Sequence, residues 1–289
     1  MDIDGDGHLD ILSGSYSRMT QDMAGLFQVL RGKADGTFEK AEILKGTDGE
    51  PLIIPTKDKK QLIEKICTRP FAIDFDGDGK LDLVVGNFAG TFYWFKGEGN
   101  GKFEPKPTLI LADGEPLKLP SAHSDPFLID WDGDGDLDLV SGSSDGGVYW
   151  AENTAGKGKV PEFKGFKPLI PPGERINYDK PIREEDLTRP SSSSRIWIAD
   201  INGDGKLDIL VGDSVELRSP AKGLTEEEYK KQKEDWTKEF NELRKKLTDP
   251  DIKKEDQQKI NKQYNEHYEK RKEFVTERST GYVWLYLQK

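Results

Sequence analysis

The chain has 289 residues, of which 34% are hydrophobic and 34% are charged, and its formal net charge is −11. Such an acidic surface argues against nucleic acid as a partner. The sequence has no run of about 18 apolar residues, which excludes a membrane-spanning helix. A single cysteine, Cys67, and three scattered histidines argue against a disulfide framework and a zinc centre.

The chain begins directly on an acidic segment. Met1 is followed by Asp2, and no basic and then apolar leader stands ahead of it. A secreted protein should not begin in this way. We therefore expect this chain to be truncated, with its signal peptide and other upstream sequence missing.

One nine-residue segment occurs four times along the chain. The copies are DIDGDGHLD (2–10), DFDGDGKLD (74–82), DWDGDGDLD (130–138) and DINGDGKLD (200–208). Short runs rich in Val, Ile and aromatic residues flank the copies and end at Gly or Asp, which is typical of β-strands. Each full repeat is predicted to supply four strands, A to D, and the nonapeptide joins A to B.

The spacing of these strands predicts the blades of a β-propeller. In the second repeat the strands fall at about 71–75, 81–87, 90–96 and 103–110. The four blades are predicted at about 1–45, 70–112, 126–171 and 195–289. Trp94, Trp150 and Trp284 are assigned to the same position of strand C, which favours packing between blades over sugar binding.

Residues 225–278 interrupt the β pattern. Thr225 and Glu228 form a capping-box signature, and a helical stripe follows it. A second stripe comes after Pro250. The segment is predicted to be an antiparallel α-helical hairpin inserted in the last blade. It either packs only on itself or serves as an arm that grips a partner.

The nonapeptide has the composition of a calcium loop. In the second copy, Asp74, Asp76 and Asp78 alternate along the chain and Asp82 is the ninth residue. Four carboxylates in one turn repel each other, and a hard cation with oxygen ligands removes that conflict. The main-chain oxygen of Lys80, the seventh residue, is assigned as a further ligand.

Two other interpretations of the nonapeptide, an EF-hand and an acidic surface turn, explain it less well than a calcium loop. An EF-hand needs a glutamate at the twelfth position between two helices, but these copies have Ser or Val there and strand-like flanks. Acidic surface turns would explain one copy of the motif. Four copies that all have Asp at the ninth position favour metal binding instead.

These residues resemble the FG-GAP/VCBS repeats of integrin α-subunit propellers and of many bacterial secreted proteins. The shared motif is D-x-[DN]-G-D-G-x-x-D followed by a short apolar strand ending in glycine, and it covers nearly the whole chain except 214–279. The resemblance implies about four calcium ions. The implied side-chain ligands are Asp2, Asp4, Asp6, Asp10, Asp74, Asp76, Asp78, Asp82, Asp130, Asp132, Asp134, Asp138, Asp200, Asn202, Asp204 and Asp208. The implied main-chain ligands are His8, Lys80, Asp136 and Lys206.

The chain departs from this family in two respects. Asn202 is neutral, so the fourth site is expected to bind more weakly. Propellers of this kind commonly have about seven blades, whereas this chain has four repeats, of which the first lacks strand A and the last ends after strand C. The expected fold is therefore mainly β, an incomplete sector of a larger propeller with an inserted helical hairpin.

No catalytic motif such as G-x-S-x-G or H-E-x-x-H occurs, so the chain is not expected to be an enzyme. The expected function is a calcium-binding scaffold for protein or carbohydrate ligands. The alternative is a lectin or a polysaccharide-acting enzyme on the same frame, since a pair of catalytic carboxylates stays open. Loops of modest calcium affinity place the protein outside the cytoplasm: extracellular, periplasmic or on the cell surface.

Overall fold

The computed structural model describes residues 1–16, 25–56, 63–173, 181–249 and 252–289. The chain forms two compact units. The first comprises Met1–Glu174, Arg189–Ser214 and Tyr282–Lys289, and the second comprises Arg175–Thr188 and Val215–Gly281. The described residues are mainly β with two helices, as predicted. Neither described helix has the length and apolar character needed to cross a membrane.

In the described part of the first unit, the strands form four antiparallel sheets of three or four strands and two short hairpins, and the far end of sheet 4 belongs to the second unit. Sheet 1 contains β1 (Ile11–Ser13), β2 (Gln28–Leu30) and β3 (Glu42–Ile43). Sheet 2 contains β4 (Arg69–Ile73), β5 (Asp82–Gly86) and β6 (Phe92–Phe95); after a hairpin of β7 (Gly97–Gly99) and β8 (Lys102–Phe103), it ends with β9 (Thr108–Leu109). A hairpin of β10 (Leu111–Ala112) and β11 (Glu115–Pro116) precedes sheet 3, which contains β12 (Asp125–Ile129), β13 (Asp138–Gly142), β14 (Val148–Ala151) and β15 (Lys167–Ile170).

Sheet 4 is built on one long strand. It contains β16 (Ser192–Ala199), β17 (Asp208–Pro220) and β19 (Val283–Tyr286), and the far end of β17 pairs with β18 (Val275–Thr280). In each sheet, strands that follow one another in the repeat are hydrogen-bonded neighbours. The acidic loops join β4 to β5, β12 to β13 and β16 to β17, which is the predicted A-to-B connection.

The apolar core lies in layers between consecutive sheets. One cluster joins Phe27 and Val29 of sheet 1 to Leu83 and Val85 of sheet 2. A second joins sheets 2 and 3, and a third joins sheets 3 and 4. Strands β5 and β13 are buried along their whole length, because each is central in its sheet and has a neighbouring sheet on both faces. The low apolar content therefore suffices, since each layer buries one interface.

Strand D of the second repeat is shorter than predicted. The sequence predicted a strand over about 103–110, but Phe103 pairs with Gly97 in a separate hairpin and only Thr108–Leu109 joins sheet 2. The hairpin turns at Asn100 and Gly101, which have φ of 53° and 67°. Left-handed backbone at both residues favours a tight reversal of the chain over one continuous strand.

The second unit contains the two predicted helices, α1 (Glu226–Leu247) and α2 (Lys254–Lys270). The capping box is present, because the Glu228 N–H donates to Thr225 Oγ1 and Glu228 accepts the Thr225 N–H. Phe240 packs on Tyr264 and Trp236 packs on His267, so the helices are antiparallel.

A two-stranded ribbon in the second unit was not predicted. Val215–Pro220 of β17 pairs residue by residue with Val275–Thr280 of β18. The alternation of buried and partly exposed residues from Val215 to Arg218 is the period of a strand. That signal could have extended the prediction past Gly212, where the repeat motif ends.

Candidate metal centre

In three of the four loops, the carboxylates at the first, third and fifth positions converge. Each group offers three oxygens that lie within 4.8 Å of one another. The groups are Asp2, Asp4 and Asp6; Asp74, Asp76 and Asp78; and Asp130, Asp132 and Asp134. Like charges at this spacing disfavour ionisation unless a cation compensates them. Such a set of oxygen donors is the kind that calcium accepts.

The loops hold their own shape through side-chain to backbone hydrogen bonds. In the second loop, Asp76 Oδ1 accepts the Asp78 N–H at 3.2 Å, and Asp78 Oδ1 accepts the Lys80 N–H at 3.0 Å. Asp74 Oδ2 accepts the N–H of Gly79, whose φ of 85° is readily adopted only by glycine. The same three bonds recur in the other loops. Residue types and spacing therefore set this geometry locally.

The seventh residues mark the end of each turn. His8, Lys80, Asp136 and Lys206 each donate their N–H to the fifth residue of the loop. This bond fixes the peptide that leads into strand B. A role for their main-chain oxygens as metal ligands stays a prediction.

The second oxygens of two carboxylates face a basic side chain in the second loop. Lys96 Nζ donates to Oδ2 of Asp76 and, at 3.0 Å, to Oδ2 of Asp78. This contact lowers the pKa of Asp78 and raises the pKa of Lys96. Each carboxylate thus uses one oxygen to hold the loop and presents the other to a cation. Sequence reasoning missed Lys96, although it directly follows strand β6.

The first loop repeats this arrangement with an arginine. Asp4 Oδ1 accepts the Asp6 N–H at 3.3 Å, while the Arg31 guanidinium lies 2.9 Å from Asp4 Oδ2. Arg31 directly follows β2, which is strand C of its repeat, as Lys96 directly follows β6. In both loops a protein cation supplies part of the charge compensation that the carboxylates need.

The third loop contains an additional carboxylate. The Asp136 side chain is buried; its Oδ2 accepts the Gly156 N–H at 2.9 Å, but its Oδ1 has no hydrogen-bond partner. Burial raises the pKa of Asp136, and the charges of Asp134 and Asp132 raise it further. The sequence had assigned only a main-chain oxygen to this residue. In the second loop, Asp74 Oδ1 is likewise buried without a hydrogen-bond partner.

The two buried oxygens without a hydrogen-bond partner, Asp136 Oδ1 and Asp74 Oδ1, show whether the residues fit a metal. A buried carboxylate oxygen without a donor has lost its hydration, and a coordinated cation would restore its stabilisation. The second and third loops each combine such an oxygen with converging carboxylates. The donor sets therefore fit Ca²⁺.

The ninth aspartates take a different position from the other three. Asp82 is fully buried; its Oδ2 accepts the Phe75 N–H at 2.9 Å and its Oδ1 accepts the Gly97 N–H at 2.6 Å. Burial raises the pKa of Asp82, and the charge of Asp76 contributes in the same direction. The carboxylate therefore links its loop to the end of strand C, on the inner side of the acidic group.

The other three ninth residues make equivalent links. Asp10, Asp138 and Asp208 each accept one N–H from the second residue of the loop and one from the segment that follows strand C. Burial also raises the pKa of Asp138. The spacing alone did not reveal this structural role. Their assignment as metal ligands stays a prediction.

The tryptophan assignments are partly wrong. Trp94 pairs with Val84 and Trp150 pairs with Val140, so these two are equivalent. Trp284 pairs with Val211, and Leu285 takes the equivalent position opposite Leu210. The side chain of Trp284 is consequently on the opposite face of its sheet. Trp94 packs against the loop residue Phe75, with ring centroids 5.2 Å apart.

The fourth loop has the same backbone with less charge. Asn202 Oδ1 accepts the Asp204 N–H at 2.9 Å, and its amide nitrogen lies 3.2 Å from Asp204 Oδ2. The amide thus occupies the place of a third carboxylate. Weaker metal binding at this loop stays a prediction.

The comparison with known families agrees with this geometry. The family model of the FG-GAP-like repeat matches residues 74–122 and 130–211.

Residues 74–122 and 130–211 are FG-GAP-like repeats.

These FG-GAP-like repeats contain the second, third and fourth acidic loops, the strands β5 and β13 that follow the second and third loops, and β16 with the start of β17 on either side of the fourth. The resemblance drawn from the motif is therefore confirmed. Repeats of this family indicate a scaffold for protein interaction. No curated protein matches the chain.

Proposed function

We propose that the chain is a non-catalytic, calcium-binding repeat scaffold that presents a surface to protein or glycan ligands outside the cytoplasm. The observation that carries the proposal is the convergence of three carboxylates in each of three loops. About four calcium ions would bind, one per loop, and the fourth would bind most weakly because Asn202 is neutral.

Calcium in this proposal stabilises the repeats. Each loop joins two strands of one sheet, and its ninth aspartate also reaches the segment after strand C. A cation at the loop would offset the repulsion that otherwise opposes this fold. The four sheets would be an incomplete sector of a larger propeller, with their loops as staples within the blades.

The proposed location follows from calcium supply. Loops of modest affinity fill at the roughly millimolar calcium of extracellular fluid but poorly in cytosol. Extracellular, periplasmic and cell-surface locations all meet this condition.

Titration of EDTA-treated protein with calcium tests the proposal. We expect about four binding events by calorimetry and a higher melting temperature in calcium than in EDTA. Protein that binds no calcium and melts at the same temperature in both buffers would contradict it. A glycan array tests whether the chain binds glycans, and a reducing-sugar assay on acidic polysaccharides tests whether it is non-catalytic. Release of reducing sugar would overturn the non-catalytic assignment.

The Asp78→Ala variant tests the ligand assignment. Asp78 contributes one oxygen to the second group, and its Oδ1 accepts the Lys80 N–H. We expect one site to lose calcium affinity by at least about tenfold, because a direct ligand should matter no less than the outer partners of a metal site. Glu104→Ala removes an exposed carboxylate from the same repeat and should leave the stoichiometry unchanged. Unchanged binding in Asp78→Ala would refute the assignment.

A further inference from the structure

The third acidic loop differs from the other three at its seventh position. The residue there is Asp136, whereas the other loops have His8, Lys80 and Lys206. The third loop therefore carries five carboxylates, compared with four in the first and second loops and three in the fourth. The number of charged oxygen donors is one of the properties that set the calcium affinity of a loop.

The Asp136 side chain is buried beside the converging carboxylates, and the residue is 4% exposed. Its Oδ2 accepts the Gly156 N–H at 2.9 Å, which holds the carboxylate in place, and its Oδ1 has no hydrogen-bond partner among the described residues. The carboxylate interacts with those of Asp134 and Asp132, two members of the converging group. A buried charged oxygen without a donor is costly, and a cation bound at the loop would offset that cost.

The basic residue that pairs with the first and second loops has no counterpart at the third. Arg31 and Lys96 each directly follow strand C of their repeat and pair with loop carboxylates. The residue that directly follows β14, strand C of the third repeat, is Glu152. Its carboxylate pairs with Lys164 at 2.7 Å and with Lys167 at 3.0 Å, outside the loop. A calcium ion at the third loop therefore displaces no cation from this position.

One lysine does approach the third loop. Lys157 lies over Gly135, with its Cδ atom 3.8 Å from where a Cβ would be. Within the described part of the chain, its ammonium pairs with no carboxylate at 4.0 Å or less. The third loop thus combines the largest number of carboxylates with less internal charge compensation than the first and second loops have.

We propose that the third loop is the highest-affinity calcium site of this chain and that the Asp136 side chain gives it that affinity. This inference rests on the proposed calcium binding and adds an order of filling to it. An ion at the third loop relieves more repulsion than an ion at any other loop, because more negative charge is gathered there. The third loop fills first as calcium rises and is the last to lose its ion as calcium falls.

Calorimetric titration of EDTA-treated protein with calcium tests the order of filling. We expect one ion to bind at least about tenfold more tightly than the others, within the range over which ligand charge tunes such loops. Asp134→Ala removes a carboxylate of the third group and should abolish this tight event. Asp78→Ala removes a carboxylate of the second group and should abolish one of the weaker events instead.

Asp136→Asn tests the role of the side chain. The amide has nearly the same shape, and its oxygen still accepts the Gly156 N–H, but it carries no charge. We expect the tight event to remain, with its affinity lowered about ten- to hundredfold. Glu162→Gln is the matched control, because it removes one charge from an exposed side chain of the same repeat and should leave the tight event unchanged.

A comparison of calcium with terbium separates the charge of Asp136 from a merely structural role. Coulomb attraction scales with the charge of the ion, so loss of a carboxylate weakens binding of Tb³⁺ more than binding of Ca²⁺. A loosened loop would weaken both by similar factors. We expect Asp136→Asn to lower the affinity of the tight event for Tb³⁺ by the larger factor, and equal factors would overturn the proposal.

Three further outcomes would overturn the proposal. The first is a wild-type chain whose calcium ions all bind with the same affinity. The second is a tight event that survives in Asp134→Ala, with circular dichroism showing a folded variant. The third is an unchanged tight event in Asp136→Asn. All three leave calcium binding itself intact, so they are distinguishable from failure of the proposed function, in which the wild-type chain binds no calcium and both proposals fall.

Discussion

In the second loop, Asp76 and Asp78 use their two carboxylate oxygens differently. In the second loop, the Oδ1 atoms of Asp76 and Asp78 hold backbone N–H groups, and their Oδ2 atoms face Lys96. The backbone bonds orient the carboxylates before any metal arrives. Oxygens that are already oriented lower the free-energy cost of ordering the loop when an ion binds. This orientation supports the proposed cation site.

Lys96→Gln should raise the calcium affinity of the second loop. The lysine ammonium contacts the same oxygens that a calcium ion would use, so calcium must displace it. We expect affinity at this site to rise roughly two- to fivefold, the effect of removing one partly exposed ion pair. The calcium-free variant should melt at a lower temperature, because the carboxylates lose their internal counter-ion.

Calorimetric titration of the variant measures this change, and Lys102→Gln is the control because Lys102 is exposed and belongs to the same repeat. A lower calcium affinity in Lys96→Gln would show that the lysine supports the site rather than competes for it.

At the scale of elements, a reciprocal pair of hydrogen bonds joins consecutive repeats. The Asn87 N–H donates to Ser124 Oγ at 2.7 Å, and the Ser124 N–H donates to the Asn87 carbonyl oxygen at 3.0 Å. Equivalent pairs join Ser143 to Ser194 and Ser15 to Thr68. A short side-chain hydroxyl thus completes the backbone pairing wherever one sheet meets the next.

Ser124→Ala should destabilise the first unit. The side chain is fully buried, and its loss leaves the buried Asn87 N–H without its acceptor. We expect the free energy of unfolding to fall by about 1–3 kcal/mol. Urea denaturation followed by tryptophan fluorescence measures the change. Ser13→Ala, at an exposed serine, should fall within experimental error of the wild type, and an equal loss in both variants would count against this explanation.

The hairpin has its own aromatic core. Trp236 stacks between Phe240 and His267, and its indole N–H donates to the His267 carbonyl oxygen at 2.8 Å. Tyr229 packs against Phe274, which extends this core beyond α2. The two stripes predicted from the sequence therefore pack against each other.

Trp236→Ala should unfold the hairpin more readily than the sheets. The substitution removes a half-buried ring, so we expect the hairpin to lose about 3 kcal/mol, the lower end of the range for Trp→Ala. Urea melting followed by the helical circular dichroism signal reports on α1 and α2. Lys238→Ala, on the exposed surface of α1, is the control. An unchanged helical transition in Trp236→Ala would contradict the packing argument.

At the scale of the whole molecule, the chain is built as two units, and the four acidic loops belong to the first. The two ends of the hairpin meet, because the Ala221 N–H donates to the Phe274 carbonyl oxygen at 2.9 Å. A short glycine turn can therefore replace residues 222–273 without stretching the ribbon of β17 and β18.

The variant without the hairpin should retain calcium binding. All four loops lie in the first unit. Calorimetry should give the wild-type stoichiometry, and sedimentation should change only as the lost mass requires. A sedimentation coefficient that falls by more than the lost mass explains would favour the other hypothesis, in which the hairpin is an arm that grips a partner.

The sequence by itself determined the features that depend on local spacing. Alternating aspartates with glycines specify a turn that closes within nine residues, so the loops could be located and their first, third and fifth carboxylates brought together. The capping box at Thr225 and the helical stripes specify the hairpin for the same reason. These interactions join residues that are close along the chain, and residue type is enough to predict them.

Tertiary structure decided the features that depend on register and on neighbours distant in sequence. The ninth carboxylate turns inward because one of the N–H groups that donate to it, that of Gly97 for Asp82, comes from another strand. Trp284 lies one residue out of step with Trp94, and a shift of one residue moves a side chain to the other face of a sheet. Val283 is likewise exposed although Val148, at the equivalent position of sheet 3, is fully buried, since burial depends on what packs above a residue and not on the residue alone.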